Sequence, residues 1–266
     1  MNKKLFELYR VATVCLVFLQ FALFTPLFTT AQDKIDYITS TEEEGSFGLF
    51  NNGQPASVVL GQNDFAGVKT VAEWFVNDIN LVSGHTPAII AADASLPEEI
   101  ILVGTLGKNE LIDQLIRSGK IVTSDIEGQW ESSLTQVVEN PFPGVKKALV
   151  LVGSDKRGTI YAMLNLSREM GVSPWYWWAD VPVEKKEALY VKAGRWVTES
   201  PKVKYRGIFL NDEEPALGNW VREKFGGFNH EFYEKVFELI LRQRGNFHWS
   251  AMWGKAFFDD DPENGP

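Results

Sequence analysis

Three carboxylates stand in a row in Asn211-Asp212-Glu213-Glu214-Pro215, directly after an apolar run at residues 205–210. A short apolar run bounded by turn residues reads as a strand, so the carboxylates fall at its C-terminal end. In an α/β barrel that end is the active-site face. Side chains alternate across a strand, which puts Asp212 and Glu214 on one side and Glu213 on the other. Carboxylates so placed orient sugar hydroxyls, act as acid or base, or ligate a metal. A second reading stands beside this one, because an acidic residue followed by Pro is also a common helix start. Trp249-Ser250-Ala251-Met252-Trp253-Gly254 ends the next expected strand. Indole faces bury the apolar faces of sugars, although a Trp pair is often plain core. The acidic loop nearby favours substrate binding by Trp249 and Trp253.

Three further strings invite chemistry and yield less. Asp259-Asp260-Asp261-Pro262-Glu263-Asn264-Gly265 departs from a calcium loop, with Pro262 inside it, the glycine one place late and no closing Glu. It reads as a solvated acidic turn, with substrate contact as the alternative. Gly153-Ser154-Asp155-Lys156-Arg157-Gly158-Thr159 has the glycine spacing of a phosphate loop but lacks Lys after the second glycine, so it reads as a tight turn opening a helix. His85, His230 and His248 show no metal-ligand spacing. His230 is expected in the first turn of its helix and His248 in the core. There is no GxSxG elbow, and the single cysteine, Cys15, lies in the first thirty residues.

These residues need elements to position them. Strands are expected at 46–52 and 56–61, then a helix at 66–82 whose Val68, Val71, Ala72, Phe75, Val76 and Ile79 share one face. Strands at 88–92 and 100–103, a helix at 109–117, strands at 134–139 and 148–152, and a helix at 159–170 follow. This alternation predicts a three-layer α/β domain. The aromatic string Pro174-Trp175-Tyr176-Trp177-Trp178-Ala179-Asp180 reads as a plug between two units. A second unit starts near Lys202. It holds the strand at 205–210, a helix capped by Asn229 with Phe232, Val236, Phe237 and Ile240 inward, and a strand at 247–252. Arg242 and Arg244 suit the negative end of that helix. Strand, helix, strand is one parallel βαβ unit.

The whole chain has 266 residues, 45% hydrophobic and 23% charged, with net charge −9. Those are globular values, and no basic run suits nucleic acid. Lys3, Lys4 and Arg10, an apolar stretch at 11–28 and Thr29-Thr30-Ala31 have the three parts of a secretory signal. Cleavage after Ala31 is expected, giving a secreted or periplasmic protein with no membrane attachment and no disulfide. The expected division is a signal at 1–31, an α/β domain at 32–183, a linker at 184–201 and the start of a barrel at 202–266. A full (β/α)₈ barrel needs about 250 residues. The expectation is therefore the first β/α units of an incomplete (β/α)8 (TIM) barrel, belonging to the front of a longer protein or to a truncated gene product.

The string Tyr205-Arg206-Gly207-Ile208-Phe209-Leu210-Asn211-Asp212-Glu213-Glu214-Pro215-Ala216-Leu217 resembles the start of the catalytic barrel of family 115 glycoside hydrolases, the xylan α-1,2-glucuronidases. The likeness continues through Trp220-Val221-Arg222-Glu223-Lys224-Phe225-Gly226-Gly227, Ala251-Met252-Trp253-Gly254 and the 259–265 string. It is dense from about Leu149 and weaker from Asp33 to Lys147. The resemblance implies removal of glucuronic acid or its 4-O-methyl ether from xylan with inversion. That requires an acid and a base carboxylate about 6.5–9.5 Å apart. It implies no metal and no organic cofactor, and leaves a homodimer of the longer protein open. It assigns Asp212, Glu213, Glu214, Trp249 and Trp253 to substrate binding. The acid and base are expected beyond Pro266, and the chain by itself is expected to be inactive. Two other readings compete: a secreted non-catalytic carbohydrate-binding module, and a metal-dependent hydrolase using Asp259–Asp261.

Overall fold

Strand β-propensity and burial explain the centre of the molecule first. The strands are β1 (Ile38–Thr39), β2 (Phe47–Asn51), β3 (Gln54–Pro55), β4 (Ser57–Leu60), β5 (Ile89–Ala91), β6 (Glu99–Thr105), β7 (Ser133–Phe142) and β8 (Val145–Gly153), of which β4, β5, β6 and β8 are rich in Val, Ile and Leu. They are joined by β9 (Ala188–Val191) and β10 (Arg195–Thr198). The computed structural model describes residues 37–211, 214–250 and 257–264. The expected signal segment, Asp212, Glu213 and Trp253 lie outside the described residues.

Six strands form one sheet in the order β10-β7-β8-β6-β4-β5. β8, β6, β4 and β5 pair in parallel, while β7 pairs antiparallel with both β8 and β10 and so alone runs against the other five strands. Because successive side chains point to opposite faces, each central strand feeds two cores. Val58, Ile101, Val103, Leu149 and Leu151 face helices α1 (Ala66–Ser83) and α3 (Lys156–Met170). Val59, Ile100, Leu102, Val150 and Val152 face helix α2 (Glu110–Arg117). This is a three-layer arrangement with helices on both faces, as the alternation predicts. A smaller antiparallel sheet, β1-β9-β2-β3, packs its Phe47, Leu49, Leu189 and Val191 into the α1–α3 core.

The local signals in the sequence act as expected. Asn109 caps α2 through the Leu111 amide at 3.0 Å. α1 ends where Gly84 turns left-handed at φ 85°. The 153–159 loop opens α3: Asp155 accepts the Gly158 amide at 2.8 Å and the Glu131 amide at 2.9 Å. A Cβ at Gly158 would lie 2.2 Å from the Ser132 carbonyl oxygen, so this loop needs glycine for close packing. Its carboxylate already fills the helix N-terminus where a phosphate would bind.

The stretch expected as a linker at 184–201 departs from that expectation. It supplies β9, paired with β1 and β2, and β10, paired with β7. The apolar Leu189, Tyr190 and Val191 are buried there. The charged residues before them, Glu184 to Glu187, hide a short strand from a pattern search.

The remaining elements are β11 (Gly207–Phe209), α4 (Ala216–Phe225), α5 (His230–Arg242), β12 (Phe247–Trp249) and a short turn of helix, α6 (Phe257–Asp260). β11 and β12 pair in parallel, with α4 and α5 between them in sequence. Asn229 caps α5 through the Phe232 amide at 3.1 Å. Phe232, Tyr233, Val236 and Ile240 bury against Trp178, Trp220 and Phe225. Trp178 thereby places the aromatic string where a plug is expected. Helix α4 is absent from the sequence expectation. No closed barrel is formed by the described residues.

Candidate functional site

The parallel pair β11–β12 places the site. Its register is Gly207 opposite Phe247, Ile208 opposite His248 and Phe209 opposite Trp249. A Cβ at Gly207 would meet the Phe247 carbonyl oxygen at 1.6 Å, so the strands approach this closely only with glycine. The Leu210 amide donates to the Trp249 carbonyl at 3.1 Å and carries the pairing to the strand ends.

Alternation then sorts the side chains. His248 turns toward α5 and packs at ring distances of 5.7 Å from Tyr233 and 5.6 Å from Phe237. Burial alone lowers its pKa, so its imidazole is neutral. This is the core position expected of it, although neither ring nitrogen has a hydrogen-bond partner among the described residues. Phe209 and Trp249 turn the other way. They are 49% and 52% exposed and meet edge to face at 5.9 Å. The pair offers an apolar platform at the C-terminal ends of two parallel strands. Phe209 is absent from the expected site residues. Its signal in the sequence is its two-residue spacing from Gly207, which puts it on the face of Trp249 across the ladder.

Glu214 behaves differently from a free substrate ligand. Its carboxylate is held bidentately by Arg222 of α4, through a short bond to Nη1 and a 2.8 Å bond to Nη2. The carboxylate lies over Gly218, whose absent Cβ leaves the space. Glu214 does not cap α4, whose N-cap is Pro215 with no side-chain cap bond, and instead pairs with Arg222 in the last turn. Arg222 is missed in the sequence because its partner lies eight residues upstream, across the start of the helix.

The acidic string docks on the N-terminus of α5. Asp261 Oδ2 accepts the His230 backbone amide at 2.9 Å and contacts Nδ1 of the same residue at 2.8 Å. Its Oδ1 accepts the Glu263 amide at 3.0 Å. Those bonds hold the Asp261 carboxyl down at about 2, and Asp261 in turn raises the His230 pKa. Asp261 is thus occupied as a helix-end partner. Among the described residues no group of His, Cys, Asp and Glu gathers to hold a metal.

Comparison with known proteins decides what this arrangement is part of. Residues 198–266 match the model of glycosyl hydrolase family 115. Those residues are a family 115 sequence. The matched span contains β11, α4, α5 and β12, the elements that build the platform. The likeness extends through the α/β body. BtGH115A, described as a family GH115 4-O-methyl-alpha-glucuronidase with specificity for decorated arabinogalactans, aligns over 77% of this chain at 34% identity and a TM-score of 0.66. The chain spans 26% of that solved family 115 enzyme. The Flavobacterium johnsoniae chitobiase aligns over 66% of this chain and 21% of its own length at 14% identity and a TM-score of 0.35. CpGH84D aligns over 86% of this chain and 40% of its own at 11% identity and a TM-score of 0.42. No curated protein matches the chain.

Proposed function

We propose that this chain is the front of a family 115 glycoside hydrolase. The proposed reaction removes glucuronic acid, or its 4-O-methyl ether, from a decorated plant polysaccharide. Xylan is the substrate that the sequence strings imply, and arabinogalactan enters through the substrate of the solved relative. The observation that supports the reading is the coincidence of the family match with the Phe209–Trp249 platform at two parallel strand ends.

In this reading β11, the two helices and β12 are the first β/α units of a (β/α)₈ barrel. Phe209 and Trp249 take the apolar face of a sugar ring by area burial. Asp212 and Glu213 accept bonds from sugar hydroxyls, and Trp253 extends the aromatic wall. Glu214 acts at one remove, fixing the start of α4 through Arg222. Inversion asks for a protonated carboxyl on the leaving oxygen and a second carboxylate activating water on the opposite face of the ring. None of the residues named here is assigned to that pair. Export by the N-terminal signal brings the protein to where such polysaccharides are met.

The experiment is a binding titration with glucuronic-acid-decorated xylan and arabinogalactan oligosaccharides, followed by Trp fluorescence, together with proton NMR of any released uronic acid. Trp249→Ala is expected to weaken binding about tenfold, the loss of one stacked ring. Unchanged affinity in Trp249→Ala would refute the proposal. Release of the β-anomer from the α-linked side chain is the expected stereochemistry.

A further inference from the structure

Two buried carboxylates of the α/β body reach across to the β11–β12 unit. Asp78, on α1, is 0% exposed, and its oxygens accept from Arg242 Nη1 and Nη2 at 2.8 and 3.0 Å. Arg242 is the last residue of α5 and is 3% exposed. Its Nε donates to Glu238 Oε1 at 2.9 Å, which also accepts the Tyr176 hydroxyl at 2.9 Å. The Tyr176 ring lies 4.9 Å from the guanidinium. Burial opposes the guanidinium charge, but Asp78 and Glu238 outweigh it and hold the Arg242 pKa above its ordinary value. A local dipole role for Arg242 therefore gives way to a long-range one.

Glu131 is 1% exposed and holds the starts of the two strands at the same end of the unit. Its Oε2 accepts from Arg206 Nη2, just before β11, and its Oε1 accepts from Asn246 Nδ2 at 2.8 Å, just before β12. Arg206 and Asn246 are tied to each other, since the Arg206 amide donates to Asn246 Oδ1 at 3.0 Å and the Asn246 amide to the Arg206 carbonyl at 2.7 Å. A third attachment runs from the Tyr161 hydroxyl on α3 to the Gly245 carbonyl at 2.7 Å.

All three attachments meet the end of α5 or the N-terminal starts of β11 and β12. The opposite strand ends carry the half-exposed Phe209 and Trp249. We infer that Asp78 and Glu131 are positioning residues: the α/β body braces the starts of both strands and so fixes where Phe209 and Trp249 stand. A buried ion pair is a poor device for stability alone, because apolar residues of equal volume often do as well. Its directional bonds instead select one orientation, which a binding site on strand ends requires. The inference deepens the glycosidase reading. Its test reads amide protection rather than hydrolysis, so the two fail separately.

The test is hydrogen exchange on the full chain carrying Asp78→Asn or, separately, Glu131→Gln. Asp78→Asn is expected to speed exchange in α5 and β12 about a hundredfold, while amides of β6 and β8 keep their protection. Glu131→Gln is expected to give the same local pattern at 206–210 and 246–249. Unchanged exchange in β11 and β12 in both variants overturns the inference. Equal acceleration of β6, β8, β11 and β12 in both variants overturns it too, because the carboxylates would then serve global stability only. A local pattern in Glu131→Gln upholds it even where Asp78→Asn fails to fold.

Discussion

Removing the Asp155 side chain tests whether the glycine-spaced loop is a structural helix start. Asp155 accepts two amides, Gly158 at 2.8 Å inside α3 and Glu131 at 2.9 Å on the neighbouring turn. Loss of an N-cap acceptor costs about 1 kcal/mol. Stranding the Glu131 amide, on a residue 1% exposed, costs about 1–3 kcal/mol. Asp155→Ala should therefore destabilise the protein by about 2–4 kcal/mol, a large share of a typical total of about 5–15 kcal/mol. Asp155→Asn keeps one oxygen to cap Gly158 but turns its NH2 against the Glu131 N–H, so it should lose about 1–3 kcal/mol, less than the Ala variant. Urea unfolding followed by far-UV circular dichroism reads both, with the slope against urea unchanged. A loss below about 0.5 kcal/mol in Asp155→Ala would refute the reasoning. So would equal losses in the Ala and Asn variants. Nucleotide binding by the native chain would also refute it, since the carboxylate occupies the anion position.

Other outcomes follow from the same geometry. Phe232→Ala removes a fully buried ring that meets Trp178, Phe225, Phe228 and Tyr233. It should cost about 3–5 kcal/mol by the same unfolding assay. Docking of 257–264 on α5 should depend on pH. The His230 pKa is raised above its ordinary 6.5, so its contribution is complete below 6.5 and fades as pH rises through the folded value. The Asp261 pKa is lowered from 3.8 to about 2, so its contribution is complete above 3.8 and fades as pH falls toward 2. Proteolysis within 257–264 should be slowest between about pH 4 and 6.5, and His230→Ala should abolish the alkaline limb. A flat profile in the native protein would sink this account.

Much of the fold is legible in the chain because its signals are local. Helices α1, α3 and α5 announce themselves by periodic apolar residues, and α1 and α5 also by Gly84 and Asn229 at their ends, whereas α3 starts at Lys156, three residues before the expected 159. Helix α4 does not, because it buries only Gly218 and Val221 and no side chain caps its start. β9 and β10 escape because four-residue strands amid charges carry too little pattern. The site divides in the same way. Trp249 is visible as an aromatic at a strand end. The bond from Asp78 to Arg242 spans 164 residues, and an Arg at a helix end already has a sufficient local explanation. Glu131 is equally hidden, in a turn whose only local peculiarity is a positive φ of 52°.

The late arrival of β9 and β10 has a consequence for how the chain can be divided. A piece stopped after residue 183 would keep the central parallel strands yet leave Ser133–Gln136 of β7 without their β10 partner. It would also separate β1 from β2, which β9 joins. A newly exposed strand edge is a template for pairing with another molecule. Such a piece is expected to self-associate, and extending it through Thr198 is expected to restore a monodisperse species in light scattering. The charged stretch that looks like a hinge is therefore followed by strands that complete both sheets of the α/β body.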